Sequence, residues 1–414
     1  MQRVLLAVVV LLVAILLGRD AHVEKADQFF LQWLLKNTRP PTEHVPLTVI
    51  EIGQESLFGA APEKPAGNSN EDFGGGTGST ASPLELALFL QSILDYKPMV
   101  VAIEPLLNWR GRDKDQEQVF LDQAMRVPKL LLAAELTMTP DPDLPVPDIP
   151  GFPHVRGRRG DLPSFNGIAQ QPSEELRVIS TPGYVNFADE VLEGAHAPLL
   201  FQYRGEVIPS FALQAFLAWV RVPVSDVKIE LGSFIELPNG RRIPIRTDGS
   251  LIVNPNASTL ARQMRLNELL LLTQQKPIGK RSSLQSLHDE LILARSPLNP
   301  RMPRETIVAT IATLQSNHFV RRVSVIFDCI VLLLIALLAW PATRVARVDL
   351  ILAAIAFTAA YCLVAFALMS RFEIWVPGVV PLSAAALLLL IGLFWPRAKH
   401  PAEVGELAAS PPAP

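Results

Sequence analysis

Ser82-Pro83-Leu84-Glu85-Leu86-Ala87-Leu88-Phe89-Leu90-Gln91-Ser92-Ile93-Leu94-Asp95-Tyr96-Lys97-Pro98-Met99-Val100-Val101-Ala102-Ile103 reads as a helix followed at once by a strand. Ser82 is an N-cap residue, Pro83 stands in the first turn, and Glu85 lies three residues after the cap, which completes a capping box. Lys97-Pro98 stops the helix, because the residue before proline is pushed out of the α region. Met99–Ile103 is then a short apolar strand. Upstream, Leu47–Ile52 is a β-branched run of the same kind. Downstream, Gln116–Val127 has helical spacing and precedes a third run, Lys129–Leu136. Strand and helix alternate, which predicts a parallel sheet with right-handed crossovers.

Outward from this unit the pattern is less regular. Val23–Asn37 has apolar residues at Phe29, Phe30, Trp33 and Leu34, the spacing of a stalk helix packing onto the domain. Phe58–Ala81 is rich in Gly, Pro, Asn and Ser and includes Gly74-Gly75-Gly76-Thr77-Gly78. It lies where a phosphate loop would, but it has neither a Walker lysine nor dinucleotide spacing, so it reads as an insertion. Thr139–Pro182 carries so many prolines that a long surface excursion without regular structure is expected. Within it, His154-Val155-Arg156-Gly157-Arg158-Arg159 is a basic knot, either a contact for anionic groups or a solvated loop. Order resumes at Gly183-Tyr184-Val185-Asn186. Pro209-Ser210 caps an amphipathic helix with Phe211, Leu213, Phe216, Leu217 and Val220 apolar. Val227–Leu231, Ser233–Leu237, Arg241–Ile245, Leu251–Asn254 and Leu291–Ala294 read as strands, with turns at Pro238-Asn239-Gly240 and Thr247-Asp248-Gly249-Ser250. Pro303–His318 is helical in pattern and is expected to run straight on into a membrane span.

Long apolar segments place the chain in a bilayer. Residues 323–340, 350–369 and 375–395 each approach the length that a hydrocarbon core of roughly 30 Å requires of a helix. Trp375 and Trp395 bound the last of them, where amphipathic rings favour the headgroup level. Asp328 is the one acidic residue of the first span, either a polar contact between helices or a residue near the interface. Val4–Leu17 behind Arg3 reads as an uncleaved anchor (residues 1–18) rather than a signal peptide, since Arg19-Asp20 follows the run and no small-residue cleavage site does. Arg3, Arg344, Arg347, Arg397 and Lys399 fall on one side of this arrangement, which predicts four spans with both termini cytoplasmic. Residues 19–322 are then extracytoplasmic, in the periplasm of a bacterial inner membrane protein. After the last span only residues 396–414 remain, too few to bury a core. No cytoplasmic catalytic domain is expected, and any output passes through a separate membrane or cytoplasmic protein in trans.

Composition fits an exported domain on a membrane base. Net charge is −3, with Lys+Arg 37 and Asp+Glu 40, which argues against a nucleic-acid partner. The chain has two cysteines, Cys329 and Cys362, and both lie in expected spans. The outer domain is therefore expected to have neither disulfides nor a thiolate metal site. The histidines form no H-E-x-x-H pair and there is no G-x-S-x-G elbow, so no catalytic residue, cofactor or metal site is assigned.

Several short motifs resemble the second type of the CHASE extracellular sensory domain, which precedes bacterial cyclases, kinases and phosphatases. They are Val49-Ile50-Glu51-Ile52-Gly53-Gln54-Glu55-Ser56-Leu57, Val100-Val101-Ala102-Ile103-Glu104-Pro105-Leu106-Leu107 and Gly183-x-x-Asn186-x-x-Asp189. Ile208-Pro209-Ser210-Phe211-Ala212-Leu213, Ile243-Pro244, Asp248-Gly249-x-Leu251-Ile252-Val253-Asn254 and Ile311-Ala312-Thr313-Leu314 to Arg321-Arg322 complete the set. The resemblance covers most of residues 20–340 and implies an α/β sensory domain with a mixed, mainly parallel sheet flanked by helices, ahead of an α-helical transmembrane region. The chain departs from the pattern at Gly53 and Glu104, where the family carries an acidic residue and an Asp, and at Arg295–Met302, which lacks the expected Gly-rich turn.

In an open parallel sheet, ligands bind beyond the carboxyl ends of the strands. Gln54, Glu55 and Glu104 are expected there, with Asp113 on the following loop. Such acids suit a cation or an amine, and equally suit solvated loops or helix caps. The leading functional expectation is a membrane-anchored sensory or ligand-binding protein acting through a partner, with self-association through the spans as one arrangement. The alternative is an assembly subunit of an envelope complex whose sensor domain has degenerated.

Overall fold

The structure, a computed structural model, describes residues 21–38, 44–53, 81–107, 109, 114–139, 149–186, 195–274, 287–296, 306–323, 327, 330–331, 333–334 and 347–394. The expected anchor (residues 1–18), the Gly-rich stretch, Asp328, Cys329 and the tail (residues 396–414) lie outside the described residues. Two compact units emerge, one running from Leu35 to Arg321 and the other formed by the chain up to Leu34 and from Arg322 onward. The division falls inside helix α1 (Ala21–Asn37) rather than at residue 19.

The larger unit is built on a seven-stranded sheet. Its strands are β1 (Leu47–Glu51), β2 (Val100–Ile103), β3 (Leu130–Thr137), β4 (Gly167–Gln170), β5 (Thr181–Tyr184), β6 (Arg262–Arg265) and β7 (Leu291–Arg295), in the order β6-β1-β7-β2-β3-β4, with β5 also on β3. All pairings are parallel except β3 with β4. β7 is fully buried and lies between β1 and β2, so the sheet closes only when a late segment inserts between two early ones. Continuous apolar runs in β1, β2 and β7 are what a sheet covered on both faces requires.

Helices cover both faces. On one, α2 (Pro83–Leu94), α3 (Lys114–Ala124) and α6 (Leu266–Gln274) pack Leu86, Phe89, Leu90, Phe120 and Leu269 against Ile50, Val101 and Ile292. The capping box of α2 forms as expected: Glu85 N–H donates to Ser82 Oγ and Ser82 N–H donates to the Glu85 carboxylate. On the other face, α5 (Phe211–Val220) and α7 (Thr306–Ser316) pack against Leu47, Val49, Val100, Ala102, Leu131 and Leu293. Gln315 near the end of α7 donates to the Pro46 carbonyl (3.2 Å). Helix α7 therefore runs against the strands and starts near their carboxyl ends.

Two expectations are corrected here. The proline-rich segment is not structureless where it is described. It contributes His154–Arg156, Ser164–Phe165, β4, a short helix α4 (Glu174–Ile179) and β5, in which Pro182 is paired with Leu132. Proline is tolerated there because β5 lies at the margin of the sheet, where a missing N–H breaks no second ladder. His154–Arg156 runs parallel to Lys228–Glu230 in a four-stranded sheet with Phe234–Glu236 and Arg242–Pro244, so the basic knot is partly strand.

The last helix of this unit also does not continue into a span. It ends at Ser316, Asn317 takes a left-handed conformation (φ 61), and the next residues are not helical. A residue in that conformation just past the last turn is a common helix stop. Arg241 reinforces it by donating to the Leu314 carbonyl, one of the orphan acceptors of the last turn, while its guanidinium lies over the Phe216 ring at 5.0 Å.

The second unit holds α1 up to Leu34, α8 (Arg347–Phe372) and α9 (Val379–Phe394). Ile351–Phe372 is long and apolar enough to cross a membrane, with a mean hydropathy of 2.4; α9 is apolar but shorter, at 16 residues. The expected span boundaries shift: Ser370–Phe372 are still helical, and Trp375 lies in a short strand rather than at the start of α9. The apolar set expected on α1 divides as well, with Leu31, Leu34 and Leu35 buried but Phe29 and Trp33 exposed.

Candidate functional site

Four neighbouring parallel strands end level with one another, and each ends on a charged residue or, in β2, is followed directly by one. Glu51 is in register with Arg265 of β6 and with Arg295 of β7. Ala294 pairs with Ile103, and Glu104 N–H donates to the Ala294 carbonyl (2.9 Å), so Glu104 continues the row beside Arg295. The row reads Arg265, Glu51, Arg295, Glu104, alternating in sign. In-register residues of a parallel sheet project to the same face, here the one covered by α5 and α7.

Burial separates the members. Arg295 Nη2 is 2.9 Å from Glu51 Oε1, and both side chains are largely buried. Arg265 is exposed. Glu104 is 5% exposed, and its Oε2 has no hydrogen-bond partner among the described residues. Burial pushes its carboxyl up to about 7, with the Arg295 guanidinium pulling in the opposite direction. An ionisable oxygen held out of water without a donor is costly in a native fold. It suits chemistry in which a cationic donor arrives from outside.

Glu104 is thus where the strand-end rule placed it. Gln54, Glu55 and Asp113 lie outside the described residues. Glu51 and Arg295 were missed, although the alternation of side chains along β1 and β7 carries the signal: each lies two residues beyond a buried aliphatic, Val49 and Leu293, on the same face.

Nearby motif residues have structural duties. Gly183 must be small, since a Cβ there would stand 2.6 Å from the Phe211 ring. Asn186 both donates to and accepts from the Leu136 backbone at 2.8 Å, acting as an extra rung beside β3. Ser210 caps α5 by accepting from Leu213 N–H. Asp248 accepts from the N–H and hydroxyl of Ser250, closing the turn in which Gly249 has φ 73. Tyr184, Asn186, Ser210, Phe211, Ile307 and Thr310 are among the residues lining a small cleft of about 10 Å³, room for little more than one water, beside the N-termini of α5 and α7. Burial raises the Tyr184 hydroxyl above its ordinary range, so it stays a neutral donor. No group of three or more His, Cys, Asp or Glu suited to a metal occurs among the described residues.

Comparison with protein-family models, with curated proteins and with solved structures yields no match.

Proposed function

We propose that residues 35–321 form an extracytoplasmic sensory domain of the CHASE type that binds a small cationic or amine ligand at the strand-end row. The second unit anchors it in the inner membrane, and its response passes to a separate protein. The observation that carries this reading is Glu104: a buried carboxylate with an oxygen lacking a donor among the described residues, at the end of the parallel sheet where such folds take ligands. Arg295 and Glu51 set its surroundings, and Glu104 supplies the group a cation would meet. Gln54, Glu55 and Asp113 belong to the same proposed site by their position after β1 and β2. The proposal is one of binding, with no catalytic step.

The test is the thermal denaturation of the full-length protein in detergent against a panel of divalent cations, primary amines and guanidinium compounds. At least one class is expected to raise the midpoint for the native chain and to leave Glu104→Gln unmoved. No shift with any class contradicts the proposal.

One observation favours a second reading, an assembly subunit of an envelope complex. Glu51 and Arg295 are already paired with each other, and the motif residues Gly183, Asn186, Ser210 and Asp248 serve the fold. Co-purification from membranes separates the two, since a kinase, cyclase or phosphatase partner fits only the sensor.

A further inference from the structure

Helix α1 is fastened to the first turn of α9 inside one unit. Asp27 Oδ1 accepts from Gly378 N–H at 3.0 Å and from Val379 N–H at 2.8 Å, two donors that a helix start leaves unsatisfied. Phe30 packs against Gly378 so closely that a Cβ there would stand 2.8 Å from its ring. Tyr361 of α8 donates to the Pro377 carbonyl at 2.5 Å and fixes the same loop.

These bonds set a depth. The described part of α9 has 16 residues, roughly 24 Å at 1.5 Å per residue. If α9 crosses a bilayer, its first turn at Val379 lies near a membrane boundary, and Asp27, bonded to that turn, lies there too. At this depth α1 exposes two large aromatic side chains one turn apart, Phe29 at 78% and Trp33 at 52%. Trp33 also stacks on Phe30, at 6.2 Å and 12° between rings. Aromatic side chains favour the headgroup boundary.

We infer that α1 is an interfacial helix, with Phe29 and Trp33 inserted at the boundary between headgroups and acyl chains of the outer leaflet and Asp27 locking the helix to α9. The aromatic pair continues the lipid-facing surface of the span. This rests on the reading of α8 and α9 as membrane helices.

The test uses full-length protein in phosphatidylcholine nanodiscs, with Cys329 and Cys362 replaced by Ala. Single spin labels are introduced by Phe29→Cys, Trp33→Cys, Leu363→Cys on the exposed face of α8 and Lys228→Cys on the outer domain. Accessibility to oxygen, which partitions into lipid, is compared with accessibility to a water-soluble nickel chelate. The oxygen-to-nickel ratio is expected to be severalfold higher at positions 29, 33 and 363 than at 228. Ratios at 29 and 33 equal to that at 228 overturn the inference while a high ratio at 363 leaves the membrane reading standing. Labels at 29 and 33 shielded from both reagents mean that a second copy or a partner protein covers the face, which also overturns it. A low ratio at 363 removes the membrane reading and this inference together.

Discussion

Glu104 concentrates the chemistry of the larger unit at one carboxyl. Its folded pKa is raised to about 7 from an ordinary value of 4.5, so the folded state binds the proton more tightly than the unfolded chain. Stability from this group is therefore full below about 4.5, falls as pH rises towards 7, and is level above that. The loss is on the order of 3 kcal/mol across the window. Chemical denaturation of the native chain should show lower stability at pH 8 than at pH 5, and Glu104→Gln should remove most of that slope. A slope unchanged in the variant would place the titrating group elsewhere. Glu104 was legible in the sequence because it directly follows a strand, where the carboxyl-end rule can be applied without coordinates. Its neighbour Arg295 was not, because the pairing of β7 with both β1 and β2 joins residues far apart in sequence.

At the scale of elements, local signals decided what local chemistry can decide. The cap at Ser82 and Glu85, the strand before Glu104 and the cap at Ser210 are all present, since each depends on contacts within a few residues. The end of α7 depends instead on Arg241, remote in sequence, and on the left-handed Asn317, so a continuous apolar pattern suggested a longer helix than exists. The proline-rich segment failed as a prediction for a related reason. Proline forbids helix interiors and central strands, but it leaves margin strands open, and β5 is one. Close approach between β5 and α5 makes Gly183 the sharpest test of this packing. Gly183→Ala should cost about 1–3 kcal/mol by forcing the Phe211 ring from its position, read as a lower denaturant midpoint with an unchanged slope. A neutral result would mean that α5 does not rest on β5 as described.

The whole molecule comprises a mainly parallel α/β unit and a helical unit. The sheet class was legible because strand and helix alternate early in the chain. Its strand order was not, because β6 and β7 arrive late and flank β1. A reporter fused after Pro414 should be cytoplasmic, and one placed at the exposed Lys228 should be extracytoplasmic; the reverse pattern would invert the proposed orientation. The most direct measurement of the central claim is the midpoint shift of the full-length protein with divalent cations, primary amines and guanidinium compounds at pH 6 and pH 8. The predicted result is stabilisation by one class, larger at pH 8, where Glu104 is charged, and absent in Glu104→Gln. Equal shifts in the native chain and the variant, or none with any class at either pH, would contradict it.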